Sequence, residues 1–186
     1  MRKKLVAYLR SFWRFFWCEE SLLSYLVFIV VFFLLLKFII YPGLLWLLGF
    51  KDIVAVLSAS MVHNSFTQEN FWNWLEKNNF TREEIESWPF LGGLNVGDAV
   101  TVVAVSPEEI KVGDVIVFIK PGTKEMIIHR VIARHEGGYY TTKGDANPKV
   151  LRFEQRVPYQ VIIGKARHRV PLLGYPRVLL ARLLGI

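Results

Sequence analysis

The sequence predicts a mainly β protein. It reads as an antiparallel β-sheet or small barrel-like domain, with an N-terminal transmembrane helix and a short helical insertion. Three observations carry this. A long apolar run near the N-terminus, starting at Leu22, is interrupted by one charge, Lys37. Short β-branched runs from Ile53 onward are separated by Gly-Asp, Pro-Gly and Gly-Gly turns. Between the first and second of these runs lies a stretch with helix-capping signals.

Charge distribution supports the same organisation. The 186 residues are 53% hydrophobic with a formal charge of +7. Residues 1–20 carry Arg2, Lys3, Lys4, Arg10 and Arg14 against Glu19 and Glu20. Residues 164–186 carry five basic residues and no acid, so the stretch between the apolar run and this tail is slightly acidic. Basic residues that flank apolar segments suit a membrane surface; a nucleic-acid binder places them on the folded domain. The 15% aromatic content excludes disorder. A single cysteine excludes an internal disulfide framework and a Cys-rich zinc site.

Residues 1–20 form a basic amphipathic segment expected on the cytoplasmic side, and 21–50 form the signal-anchor helix. The apolar run exceeds the roughly 20 residues that a bilayer core requires, and is too long for a removable signal peptide. Lys37 is expected to snorkel or face protein, and Pro42-Gly43 to end or kink the helix. Trp13, Trp17, Tyr41 and Trp46 fall where interfacial aromatics belong. The positive-inside rule then puts residues 51–170 on the outer face of a cell membrane.

In that outer domain IVAVLSAS reads as a buried strand entering a turn. Residues 64–90 form the helical insertion. Thr67 is a candidate cap for a helix carrying Phe71, Trp72, Trp74 and Leu75, and Thr81 with Glu84 spells a capping box. The aromatics are expected to pack rather than enter lipid. Strands follow at AVTVVAV, VIVFI, MIIHRVIAR and YYTTK. Residues 171–186 read as a basic amphipathic, membrane-contacting tail, short for a span. Asn79-Phe80-Thr81 is a glycosylation sequon.

For chemistry, the sequence has no H-E-x-x-H, and His63, His129, His135 and His168 are scattered, so no metal or other cofactor is expected. A serine nucleophile needs a base within reach and donors for the developing oxyanion. Ser60 follows an apolar strand at a turn, His129 lies in an aliphatic strand, and Asp145 follows a glycine after another strand. Spacing alone does not bring the three together.

Four boxes resemble type I signal peptidases of the archaeal and endoplasmic-reticulum branch. They are Ser58-Ala59-Ser60-Met61, Gly113 to Phe118, Ile128-His129-Arg130-Val131, and Thr142-Lys143-Gly144-Asp145-Ala146-Asn147. Their order and the preceding anchor match as well, over roughly residues 22–170. The resemblance implies a membrane-bound serine endopeptidase that removes signal peptides from exported preproteins after small residues. It implies Ser60 as nucleophile, His129 as general base, and Ser58 with the Ser60 main-chain N–H as oxyanion hole. Asp145 matches the first acid of the last box. Many relatives carry a second aspartate five or six residues later, where this chain has Val150 and Leu151. The acid that orients His129 is then Asp145, Glu154 from a different loop geometry, or a weaker orienter; Asp145 is the favoured reading.

The expected partners are signal peptides, the bilayer and components of the translocation machinery. An extended substrate would pair with an exposed strand edge, Ile53–Leu57 or Gly97–Val105. Two other classes compete: a non-catalytic peptide-binding subunit of the same fold, and a serine autoprotease of the repressor-cleaving kind. A Ser60/Lys143 dyad is a mechanistic variant.

Overall fold

The computed structural model describes Val6, Trp13, Arg14 and residues 21–185. The rest of the basic segment expected over 1–20, Trp17 included, lies outside the described residues, as does Ile186. The chain divides into two compact units, Met1–Leu48 and Gly49–Ile186.

In the first unit, helix α1 runs Leu22–Leu47, long and apolar enough to cross a membrane. At 1.5 Å per residue, its 26 residues reach about 39 Å. Ser21 caps it by accepting from Ser24 N at 3.1 Å. Pro42 does not end it. The turn Leu36–Ile40 is π-helical, and the Tyr41 N–H reaches back five residues to the Leu36 carbonyl. Proline lacks an N–H and crowds the carbonyl four residues back; one widened turn just before it absorbs both defects.

The second unit is built on one seven-stranded antiparallel sheet of order β1-β2-β7-β3-β4-β5-β6. The strands are β1 Asp52–Ala55, β2 Ala99–Val103, β3 Val115–Ile119, β4 Met126–His135, β5 Tyr139–Lys143, β6 Val157–Pro158 and β7 Ile162–Val170. The sheet is open, with β1 and β6 at its edges, so the barrel reading does not hold. Nor is the chain mainly β: helical residues outnumber strand residues among those described. Beyond α1, the sheet carries α2 Ser65–Lys77 and α3 Arg82–Glu86 in the insertion, and α4 Tyr175–Leu184 near the C-terminus.

Alternation along the strands creates two cores, one on each face. Val115, Val117 and Ile128 join Val54 and Val100 in one cluster; Ile116, Phe118 and Val131 join Tyr140 and Val157 in the other. The last strand, β7, lies between β2 and β3 and joins the two halves of the sheet. Its Gly164 makes that fit possible, because a side chain there would collide with the Val103 carbonyl.

The insertion has a core of its own, made of Phe71, Leu75, Ile85 and Trp88. Its first helix is capped by Asn64, which accepts from Phe66 N and Thr67 N; Thr67 is the third helical residue and answers by accepting from Asn64 N at 2.8 Å. The Thr81–Glu84 capping box opens α3. Asn79 is exposed after α2 at φ 64°, a left-handed conformation that asparagine tolerates.

Candidate active site

Ser60 stands in the turn that leaves β1. The Val56 N–H still donates to Asp98 O, the Met61 carbonyl accepts from Leu94 N at 2.7 Å, and Val62 bridges Gly93. Held at both sides, the turn presents the Ser60 hydroxyl towards β4. His129 lies on β4 opposite Ile116 of β3. Its Nε2 is 2.9 Å from Ser60 Oγ, and Ser58 Oγ is 3.0 Å from the same oxygen.

The other face of the imidazole meets Glu154. His129 Nδ1 is hydrogen-bonded to Glu154 Oε1, from a 3-10 turn at Arg152–Glu154. This carboxylate is fully buried. Its Oε2 accepts from Leu151 N at 2.9 Å, and Oε1 also accepts from the Thr142 hydroxyl at 3.3 Å. An ionised Glu154 therefore takes the Nδ1 proton as its hydrogen bond, leaving the Nε2 lone pair for the Ser60 hydroxyl. Ser60, His129 and Glu154 form one connected line.

Asp145 is not in that line, contrary to the reading favoured from the sequence. Its Oδ1 accepts from Arg130 Nε at 2.9 Å; its Oδ2 accepts from Arg130 Nη2 at 2.7 Å and is 3.1 Å from His63 Nε2. The physical reason is strand parity. His129 and Arg130 are neighbours on β4 and point to opposite faces, and Asp145 is on the side of Arg130. Burial opposes the Asp145 charge, but Arg130 and His63 hold its carboxyl below the usual carboxylate range.

Arg130 uses all five of its N–H groups. Besides Asp145, it donates to the carbonyls of Pro89, Gly113 and Phe90, and it lies over the Phe71 and Trp88 rings. This pair ties the insertion to β4 and to the Gly144–Asn147 loop. The loop in turn supports the serine, since Ala146 N donates to Ser60 O at 2.8 Å. Gly144 permits the approach: a Cβ there would stand 2.8 Å from His129 Nε2 and 2.8 Å from Ser60 O.

Two buried groups were not given these places by sequence reasoning. His63 packs on Phe71, and its Nδ1 has no partner among the described residues. Lys143 donates to the carbonyls of Gly144 and Asp145 and lies 4.9 Å from the Trp74 ring centre. Burial lowers its pKa to about 8, with Asp145 and Glu154 opposing that shift and Arg130 adding to it. Its bonds are to those carbonyls, while Ser60 has His129, which disfavours the dyad variant.

A cavity of about 670 Å³ opens over Ser60. It is walled by β1, by the first residues of β4, and by Leu173, Gly174, Arg177 and Ala181. Among the described residues β1 pairs in the sheet only with β2, so Ile53–Ala55 have a strand on one side alone. Met126–His129 pair with β3 on one side, while β5 pairing begins at Arg130. The Gly97–Val105 segment offers no edge, because β2 lies between β1 and β7. Among the described residues, no three His, Cys, Asp or Glu side chains form a group suited to a metal ion. Compared with known proteins, the chain matches no family model and no curated sequence.

Proposed function

We propose that this chain is a membrane-anchored serine endopeptidase that removes signal peptides from exported preproteins, with Ser60, His129 and Glu154 as its triad. The observation that carries this reading is the continuous hydrogen-bonded line from the Glu154 carboxylate through His129 to the Ser60 hydroxyl. The cavity above it provides room for an extended chain.

In this mechanism, Ser60 Oγ attacks the scissile carbonyl as His129 Nε2 takes its proton. Glu154 stabilises the imidazolium and fixes its tautomer. The carbonyl oxygen, now negative, is met by the Ser58 hydroxyl and the Ser60 N–H, which donates to no other group among the described residues. The imidazolium then protonates the leaving amine. Water attacks the acyl-serine, gives its proton to His129, and Ser60 leaves with that proton.

The substrate strand lies between the edges of β1 and Met126–His129, which supply main-chain hydrogen bonds. Aliphatic side chains such as Ile53, Leu57 and Ile127 line the cavity and leave shallow space that suits Ala or Gly before the cut. Helix α1 is the anchor, the N-terminus is cytoplasmic, and the peptidase unit works on the outer face of the membrane.

The test is cleavage of a preprotein by purified full-length protein in liposomes, with the cut located by mass spectrometry. A single cut after a small residue, absent in Ser60→Ala, supports the proposal. A cut that persists in Ser60→Ala rejects the nucleophile. No cut by folded wild type favours a non-catalytic peptide-binding subunit.

A further inference from the structure

Two lines of side chains join the Ser60 turn to β4, one on each face of the strand. On one face, His129 Nε2 is 2.9 Å from Ser60 Oγ. On the other stands a second histidine with a carboxylate. His63 comes three residues after Ser60, and its Nε2 is 3.1 Å from Asp145 Oδ2. Both oxygens of that carboxylate accept from Arg130, the residue after His129. The turn that carries the nucleophile and the strand that carries the base are therefore closed on each other twice. The second closure is shielded from water: the His63 and Asp145 side chains are 2% exposed and Arg130 is 1% exposed.

The His63 ring is confined. Its centre lies 4.7 Å from that of Phe71, and a Cβ at Gly93 would stand 2.9 Å from His63 Cδ2. Its proton is placed by its neighbours. Asp145, ionised beside Arg130, only accepts, so His63 Nε2 is the donor. His63 Nδ1 is buried without a partner among the described residues. The opposite tautomer would turn a lone pair towards the carboxylate and leave an unpaired N–H in the interior, which costs more. The residues around Asp145 also meet the turn through their main chain. Asp145 N donates to Met61 Sδ at 3.4 Å, and Ala146 N donates to Ser60 O at 2.8 Å. The His63 bond adds a charged acceptor to this seam, and such bonds are the stronger kind.

We propose that His63 is a positioning residue: through Asp145 and Arg130 it sets the distance between Ser60 and His129 from the face of β4 opposite the reaction. It touches no substrate. A turn released from Asp145 is free to drift from β4, and a reacting group displaced by about 1 Å loses on the order of 100-fold in rate. The geometric link is independent of any activity. Its effect on rate rests on the peptidase reading.

The test uses full-length protein in detergent, labelled with 15N-histidine, as wild type, Ser60→Ala, His63→Leu and His63→Gln. Leucine fills the place of the ring without a donor; glutamine returns an amide N–H near the position of Nε2. The His129 Nε2 resonance is identified by its change in Ser60→Ala. In His63→Leu it should move from the wild-type position towards that of Ser60→Ala, and in His63→Gln it should return. For preprotein cleavage, kcat should fall by about 10- to 100-fold in His63→Leu with KM unchanged, and His63→Gln should recover most of it. A merely structural role would lower the unfolding temperature and leave the resonance in place. An unmoved resonance or an unchanged kcat in folded His63→Leu overturns the proposal, as does a glutamine variant that recovers neither. If His63→Leu does not fold, the wild-type His63 resonances decide: a proton on Nε2 supports the link, and one on Nδ1 alone overturns it. A moved His129 resonance in a protein whose wild type cuts no preprotein would remove the peptidase reading and leave this link standing.

Discussion

Glu154 approaches His129 from a 3-10 turn 25 residues further along the chain, and the pair is buried. A carboxylate on Nδ1 selects the tautomer that frees Nε2. Glu154→Gln keeps the shape and loses the charge. We expect kcat for peptide cleavage to fall by about 10³–10⁴-fold. Thermal unfolding should show the fold intact. A fall below tenfold would remove Glu154 from the line.

Asp145 should behave differently. Its charge is matched by Arg130 in the interior, so Asp145→Asn or Arg130→Met leaves a buried partner uncompensated. We expect a loss of stability of about 3–5 kcal/mol. Denaturant titration of the detergent-solubilised protein measures it. Its depressed pKa also sets the sign of a pH effect: the Asp145 contribution is present above the ordinary carboxylate pKa and is lost as pH falls through its lower folded value. Asp145→Asn should flatten that acid limb.

Gly144→Ala tests close packing at the reaction centre. The added methyl would stand 2.8 Å from both His129 Nε2 and Ser60 O, so one of them must shift. Displacement of a reacting group by about 1 Å costs on the order of 100-fold in rate. We expect kcat to fall by that order with little change in KM. Single-turnover cleavage by wild type and variant checks it.

Lys143 gives a pH signature of the same sign as the carboxylate, but in an alkaline window. Its folded pKa is about 8, below the ordinary lysine value of 10.5. Below pH 8 the amine is protonated in both the folded and unfolded states, and its burial is unfavourable. Between 8 and 10.5 the unfolded chain binds the extra proton, so stability contributed through Lys143 rises with pH. The shift corresponds to about 3 kcal/mol. Wild type should gain melting temperature relative to Lys143→Met between these pH values. A constant difference between the two proteins would contradict the shift.

Much of the sheet was legible because β2, β3 and β4 are largely apolar runs and β5 is rich in Tyr and Thr, all near Gly or Pro turns, where local preference and tertiary structure agree. β7 was not. Gly164, Lys165, Arg167 and Arg169 make it read as the start of a basic tail, and the reason for the glycine is a carbonyl on another strand. Pro42 misled in the other direction, because a π turn compensates for its missing donor. At the site, Ser60 and His129 stand out as polar residues against apolar strands. Glu154 does not, since a short 3-10 turn has no periodicity to display and its value comes from a partner 25 residues away. The parity of His129 and Arg130 was available in the sequence. Which of the two faces receives Asp145 is a property of the loop, and only the folded chain reveals it.

The place of β7 has a consequence for when the site comes into being. Ser60 follows β1 in one half of the sheet, and His129 lies on β4 in the other. The strand that zips these halves together is the last one synthesised. Such long-range pairing closes slowly compared with local turns and helices. A chain still emerging from the ribosome has Ser60 and His129 in unconnected pieces, and His129 has no Glu154 to meet until that residue appears. The order of the strands thus works as a timer: Ser60, His129 and Glu154 come together only when almost the whole second unit has been made.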